Sequence, residues 1–144
     1  MSAEPPDDET PQGGTRHSGR KRALDILYEA DLKQRPLPEV LATHLRDEPS
    51  LDEFPLSLVR GVHRHRDEID EIIERHSTGW KLSRMPVVDR NVLRLAVFEL
   101  RHTDVPDAVA IDEAVELVKE LSTADSGRFV NGLLARAAEA APQP

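Results

Sequence analysis

A chain of 144 residues with no cysteine and 3% aromatic residues is long enough for one domain with a sizeable core. It excludes disulfides and thiolate metal sites and fits a reducing cytoplasm. No apolar run reaches about 18 residues and no signal-peptide pattern opens the chain, so nothing points to a membrane or to export.

The net charge of −8 is unevenly spread. Residues 1–15 hold four acids and no base, and residues 16–22 hold four bases and no acid. These two segments cancel, so the rest of the chain keeps the full −8. A short basic segment on an acidic body points towards phosphate binding.

In chain order, residues 1–15 are rich in Pro, Gly and acid and are expected to be a disordered tail, because they bury too little to order themselves. From Arg20 to Lys33, Ala23, Leu24, Leu27, Tyr28 and Leu32 follow helical spacing. A short helix restarts at Leu37-Pro38 and closes before Pro49. One long helix is expected from about Pro55 to His76, stopped by Ser77-Thr78-Gly79.

Trp80–Met85 reads as a linker, with Trp80 filling core. The segment Pro86–Leu100 is the central helix, apolar over more than half its circumference. Asp89, Arg90, Asn91, Arg94 and Arg101 form one polar stripe on it, and Glu99 lies opposite, where a carboxylate must find a donor. Asp107–Leu121 is amphipathic, Ser122–Ser126 is a turn with good capping residues, and a last helix runs from about Gly127 to Ala140. Strand signals are absent, so the fold class is all-α: six to seven helices in two subdomains, about 16–79 and 80–140, within a helical domain over 16–140.

The best functional signal is Arg16, Arg20, Lys21 and Arg22, with His17 between them, where a flexible tail meets a helix. Such a segment can wrap a nucleic-acid backbone and order on binding, and arginine's planar fork suits phosphate. Cations at a helix N-terminus oppose the macrodipole, which favours a functional reading over a structural one. His63, His65, Glu74 and His76 do not make a metal site at helical spacing, since His63 and His65 point to opposite sides. No Gly-rich phosphate loop, GxSxG or cysteine nucleophile is present, so no catalytic residue, cofactor or metal is expected. Phe129, just after a polar turn, can either fill the core or leave a ring edge to stack on a base.

Together, Arg-x-x-x-Arg-Lys-Arg-Ala-Leu-x-x-Leu-Tyr (16–28), Gly79-Trp80 with Leu82-Ser-Arg84, Val88-Asp-Arg-x-x-Leu-Arg-Leu-Ala-x-x-Glu-Leu100, Ile111-Asp-Glu-Ala-Val-Glu-Leu-Val-Lys119 and Asp125-Ser-x-x-Phe-Val-Asn-Gly-x-Leu134 resemble the NusB family. The resemblance covers about residues 16–138 in order. It implies an all-α, non-enzymatic factor that binds boxA RNA of ribosomal RNA transcripts jointly with ribosomal protein NusE. That pair then joins other Nus factors on RNA polymerase to suppress termination.

By position, the resemblance implies RNA contacts at Arg16, His17, Arg20, Lys21, Arg22, Arg94, Asp125, Ser126 and Phe129. It implies a NusE-contacting surface at Tyr28, Glu29, Leu32 and Asp89. Ser18 and Gly19 dilute the basic run, and Gly19 weakens the helix start. The alternative is a NusB-like protein-interaction module or homodimer with little RNA binding of its own.

Overall fold

The computed structural model describes residues 10–140, with side chains from Arg16 onward. Among these residues there are seven α-helices and no strand: α1 (Thr10–Lys33), α2 (Leu37–Asp47), α3 (Glu53–Arg64), α4 (Arg66–His76), α5 (Val87–His102), α6 (Asp107–Leu121) and α7 (Ala124–Glu139). A 3₁₀ turn, Leu82–Arg84, precedes α5. No helix among the described residues is long and apolar enough to cross a membrane.

Three differences from the sequence reading have local causes. The expected acidic tail lies outside the described residues up to residue 9, but helix α1 already begins at Thr10, well before Arg20. The expected long helix is two helices that meet at His65, whose φ of −107° and ψ of 22° bend the chain. The helical ladder continues on both sides of that bend, with His65 N donating to Gly61 O at 3.0 Å and His65 O accepting from Ile69 N at 2.9 Å. The His65 ring lies stacked on His102 of α5, 3.7 Å between centroids.

The third difference is the division of the chain, which falls between Val59 and Arg60 and not at Gly79. Helix α4 packs against α5 and α7, so it belongs with the C-terminal helices. In the first unit α1 packs on α2, with Ala23, Ile26, Leu27 and Ala30 buried on α1 and Val40 and Leu41 on α2.

In the second unit α5 is surrounded by α4, α6 and α7. Val92, Leu93, Leu95 and Ala96 are buried as expected, while Val88 and Leu100 are only partly covered. Burying a valine or leucine side chain stabilises by about 1.5–3 kcal/mol relative to exposure. With neighbours on so many sides, α5 has no broad solvent face. The expected polar stripe is therefore a buried polar layer, with Asp89, Asn91 and Arg94 only 2%, 1% and 4% exposed. Glu99, on the opposite side, is buried too and is not left unpaired.

Candidate nucleic-acid interface

On α1 a four-residue spacing places Arg16 and Arg20 on one side and His17 and Lys21 on the next. Arg16 and Arg20 both face the ring of Phe54 at the start of α3, their guanidinium carbons 4.6 and 5.4 Å from its centroid. Gly19 makes this approach possible: a Cβ there would lie 2.6 Å from Phe54 Cδ2. Gly19 thus admits the ring that orders two arginines, and the helix-weakening cost expected from the sequence is offset by that contact.

The four basic residues are not equivalent. Arg16 and Lys21 are exposed and His17 is half-buried, while Arg20 is buried. Arg22 donates to Glu48 Oε1 at 2.8 Å and to His44 Nδ1 at 3.1 Å. With Nδ1 accepting, His44 presents its Nε2–H to Glu29 Oε1 at 2.7 Å, an assignment that follows from the network. This hydrogen bond from His44, helped by Lys33 and opposed by partial burial, holds the Glu29 carboxyl below its ordinary value of 4.5. Next to it on α1, Tyr28 is half-buried and Leu32 is 54% exposed.

In the second unit, Arg94 is corrected from a surface residue to an internal one. Its Nε donates to Asp70 Oδ1 at 2.8 Å, its second terminal nitrogen to Oδ2 at 3.3 Å, and its first to Asn91 Oδ1 at 3.1 Å. Asp70 also accepts from Arg66 Nε at 3.0 Å, so one carboxylate joins α4 to α5. Asp89 is corrected in the same sense. One of its oxygens accepts from Ser126 Oγ at 2.6 Å, and the other is buried without a hydrogen-bond partner.

Thr123 caps α7 by accepting from Ser126 N at 3.0 Å, which sets the Ser126 hydroxyl towards Asp89. In the same first turn, Asp125 is exposed and pairs with Arg128. Phe129 is half-buried, its ring 5.3 Å from that of Trp80 and tilted by 43°. Trp80 does not fill the core: it is 51% exposed.

His65, Glu68 and His102 bring three donor atoms within 4.8 Å of one another. The two rings lie nearly parallel, 14° apart, so a cation in the plane of one ring would sit well off the plane of the other. Glu68 instead accepts from His102 Nε2 at 2.9 Å. Helical spacing groups His65 with His63, Glu74 and His76, and only the fold brings His102 near. Phe54, His44, Glu48 and Asp70 are likewise not evident from spacing, each lying more than twenty residues from its arginine along the chain.

A helical binding protein is the class these features define, with a basic helix face ordered by an aromatic ring and an exposed tryptophan against a half-buried phenylalanine beside a polar helix cap. The family model for the NusB family matches residues 17–139. The chain is 54% identical over 129 residues to the transcription antitermination protein NusB of Saccharopolyspora erythraea, covering 87% of each. It is 55% identical over 122 residues to that of Acidothermus cellulolyticus, covering 83% of this chain and 84% of that protein.

Among solved structures it is similar to T. maritima NusB, with a TM-score of 0.77, 36% identity and coverage of 87% of this chain and 91% of that one. It is also similar to a chain in a crystal structure of antitermination factors NusB and NusE in complex with dsRNA, with a TM-score of 0.76, 32% identity and coverage of 88% and 97%. The chain belongs to the NusB family of transcription antitermination factors, which act by binding and not by catalysis.

Proposed function

We propose that this protein acts in the cytoplasm by binding boxA-type single-stranded RNA of ribosomal RNA transcripts together with ribosomal protein NusE. The pair then joins the other Nus factors on RNA polymerase. The observation that carries this reading is the likeness to the NusB–NusE–dsRNA structure, which extends over 97% of the matched chain.

RNA contacts fall to Arg16, His17 and Lys21 on α1 in the first unit and, separately, to Asp125 and Phe129 on α7 in the second. Arg20 and Arg22 hold the arm in place, and Arg94 and Ser126 support the second unit from inside. The protein-contacting surface is Tyr28, Glu29 and Leu32, a half-buried and an exposed apolar side chain beside a carboxylate, a combination that suits a protein anchor. Asp89 stabilises the start of α7 and does not itself meet the partner.

Because the body is acidic, the protein alone binds RNA weakly and a docked NusE tightens it. Fluorescence anisotropy of a labelled boxA RNA, with and without NusE, is the test. Cooperative, sequence-selective binding that needs both proteins is expected. Binding indifferent to sequence or to NusE contradicts the reading.

A further inference from the structure

The position of Trp80 is not explained by the fold. It is the single tryptophan of the chain, and a large apolar ring in a small helical unit is normally buried. Here it is half exposed while its backbone is fixed on both sides. Ser77, itself 1% exposed, donates from Oγ to Trp80 O at 2.6 Å, and Trp80 N donates to Ser77 O at 3.3 Å.

The turn between Ser77 and Trp80 runs through Thr78 at φ 49° and Gly79 at φ 94°, a left-handed pair that aims the chain outward. Two residues on, Leu82 N donates to Glu74 Oε2 at 2.9 Å, and the Leu82 side chain is buried. The segment is pinned to α4 at both ends, and the indole is held against one side of Phe129.

The charge around it is equally distinct. Between Glu74 and Asp89 the chain has no carboxylate, although its net charge is −8. Lys81 and Arg84 in this stretch are exposed, and neither pairs with a described carboxylate. An exposed aromatic face flanked by unpaired cations on a fixed backbone is what single-stranded nucleic acid requires, the ring for a base and the cations for the adjoining phosphates.

We propose that Trp80 is a base-stacking residue that extends the Phe129 site into a two-ring platform for unpaired nucleobases, with Lys81 and Arg84 taking the flanking phosphates. This rests on the RNA-binding reading above. It also specifies the form of the ligand: bases in a duplex are already stacked on one another, so only a single-stranded or splayed-out base can use the ring.

The single tryptophan supplies its own probe. Labelled boxA RNA is titrated into the full-length protein with its NusE partner, following RNA anisotropy and indole emission together. Stacking on Trp80 quenches the indole along the same isotherm as the anisotropy. A duplex of the same sequence, or a strand with abasic sites, quenches far less. Trp80→Ala, its fold checked by circular dichroism, weakens single-strand binding by at least about fivefold, and Trp80→Phe retains most of it.

RNA binding with unchanged indole emission and a neutral Trp80→Ala overturns the platform while leaving the RNA-binding reading intact. Quenching on adding NusE alone, with no further change on adding RNA, makes Trp80 a protein contact and also overturns it. Absence of RNA binding by the wild-type pair overturns both.

Discussion

Ser126 and Asp89 are joined by a hydrogen bond of 2.6 Å, although the family resemblance implies a different surface for each, one facing RNA and the other a protein. The bond ties the first turn of α7 to the first turn of α5. A carboxylate at the start of a helix is favoured by the macrodipole, and this one keeps a buried oxygen without a hydrogen-bond partner. The Ser126 hydroxyl is therefore the side-chain donor on which its burial depends.

Ser126→Ala leaves that carboxylate buried with less than it needs. Hydrogen bonds to charged groups contribute about 1.5–3 kcal/mol, so a loss of about 2 kcal/mol in urea unfolding is expected. Asp89→Asn tolerates the missing donor better, and the double variant should be less destabilised than the sum of the singles. Strict additivity would show that the two groups are not coupled.

Arg94→Ala is expected to act on stability before it acts on RNA. Removing one member of a nearly buried ion pair costs about 3–5 kcal/mol, moderated here because Arg66 still faces Asp70 and Asp70 is partly exposed. Asp70→Asn gives the informative comparison, since it weakens the same link without touching a cation that RNA could use. If Arg94→Ala lowers RNA affinity while leaving unfolding unchanged, Arg94 is a direct contact after all.

The basic arm makes a sharper prediction than the sequence alone allows. The run from Arg16 to Arg22 offers four cations for phosphate, yet Arg20 is buried and Arg22 is held by Glu48 and His44. Single-strand binding loses roughly 0.7 in the logarithmic salt slope per lost contact. Arg16→Ala and Lys21→Ala should each lower the slope by about that amount. Arg22→Ala should lower it less and destabilise the junction of α1 with α2. Equal slope changes at all three positions would mean that the internal pairs open on binding.

Phe54 is the least obvious member of this site. Replacing it with Leu keeps apolar bulk but removes the π face under Arg16 and Arg20, an interaction worth about 0.5–1 kcal/mol at an exposed position and more when desolvated. Phe54→Leu should lower stability by about 1 kcal/mol and weaken RNA binding through the arm, without changing the salt slope. An unchanged affinity would mean that the ring does not order the arginines.

What was legible in the sequence and what was not separates by distance along the chain. Helices α2, α5 and α6 follow from local apolar spacing and from Pro and polar stops, which act within a few residues. The bend at His65 and the buried polar layer of α5 are invisible at that range. Arg94 looks like a surface cation until Asp70, a full helix earlier, is brought beside it. Gly19 similarly looks like a defect until the Phe54 ring is placed over it. The site residues were legible as residue types at positions, and their exposure depended on partners supplied by other helices.

The pH dependence of stability should carry the signature of His76. Its Nε2 is buried without a hydrogen-bond partner, and burial, followed by Arg75, Arg136 and Arg101, lowers its pKa below the ordinary 6.5. Protonation is thus easier in the unfolded chain than in the folded one, so the unfolded state binds more protons below 6.5 and stability falls as pH drops through that value. Glu29 acts lower down. Its carboxyl is held below 4.5, so the stability it contributes is present above 4.5 and is lost only as pH falls through its folded value. Urea midpoints measured from about pH 7.5 to 5.5 should decline in the wild type and decline less in His76→Gln, which cannot titrate. Identical slopes in the two proteins would show that His76 takes up its proton as readily in the fold as outside it.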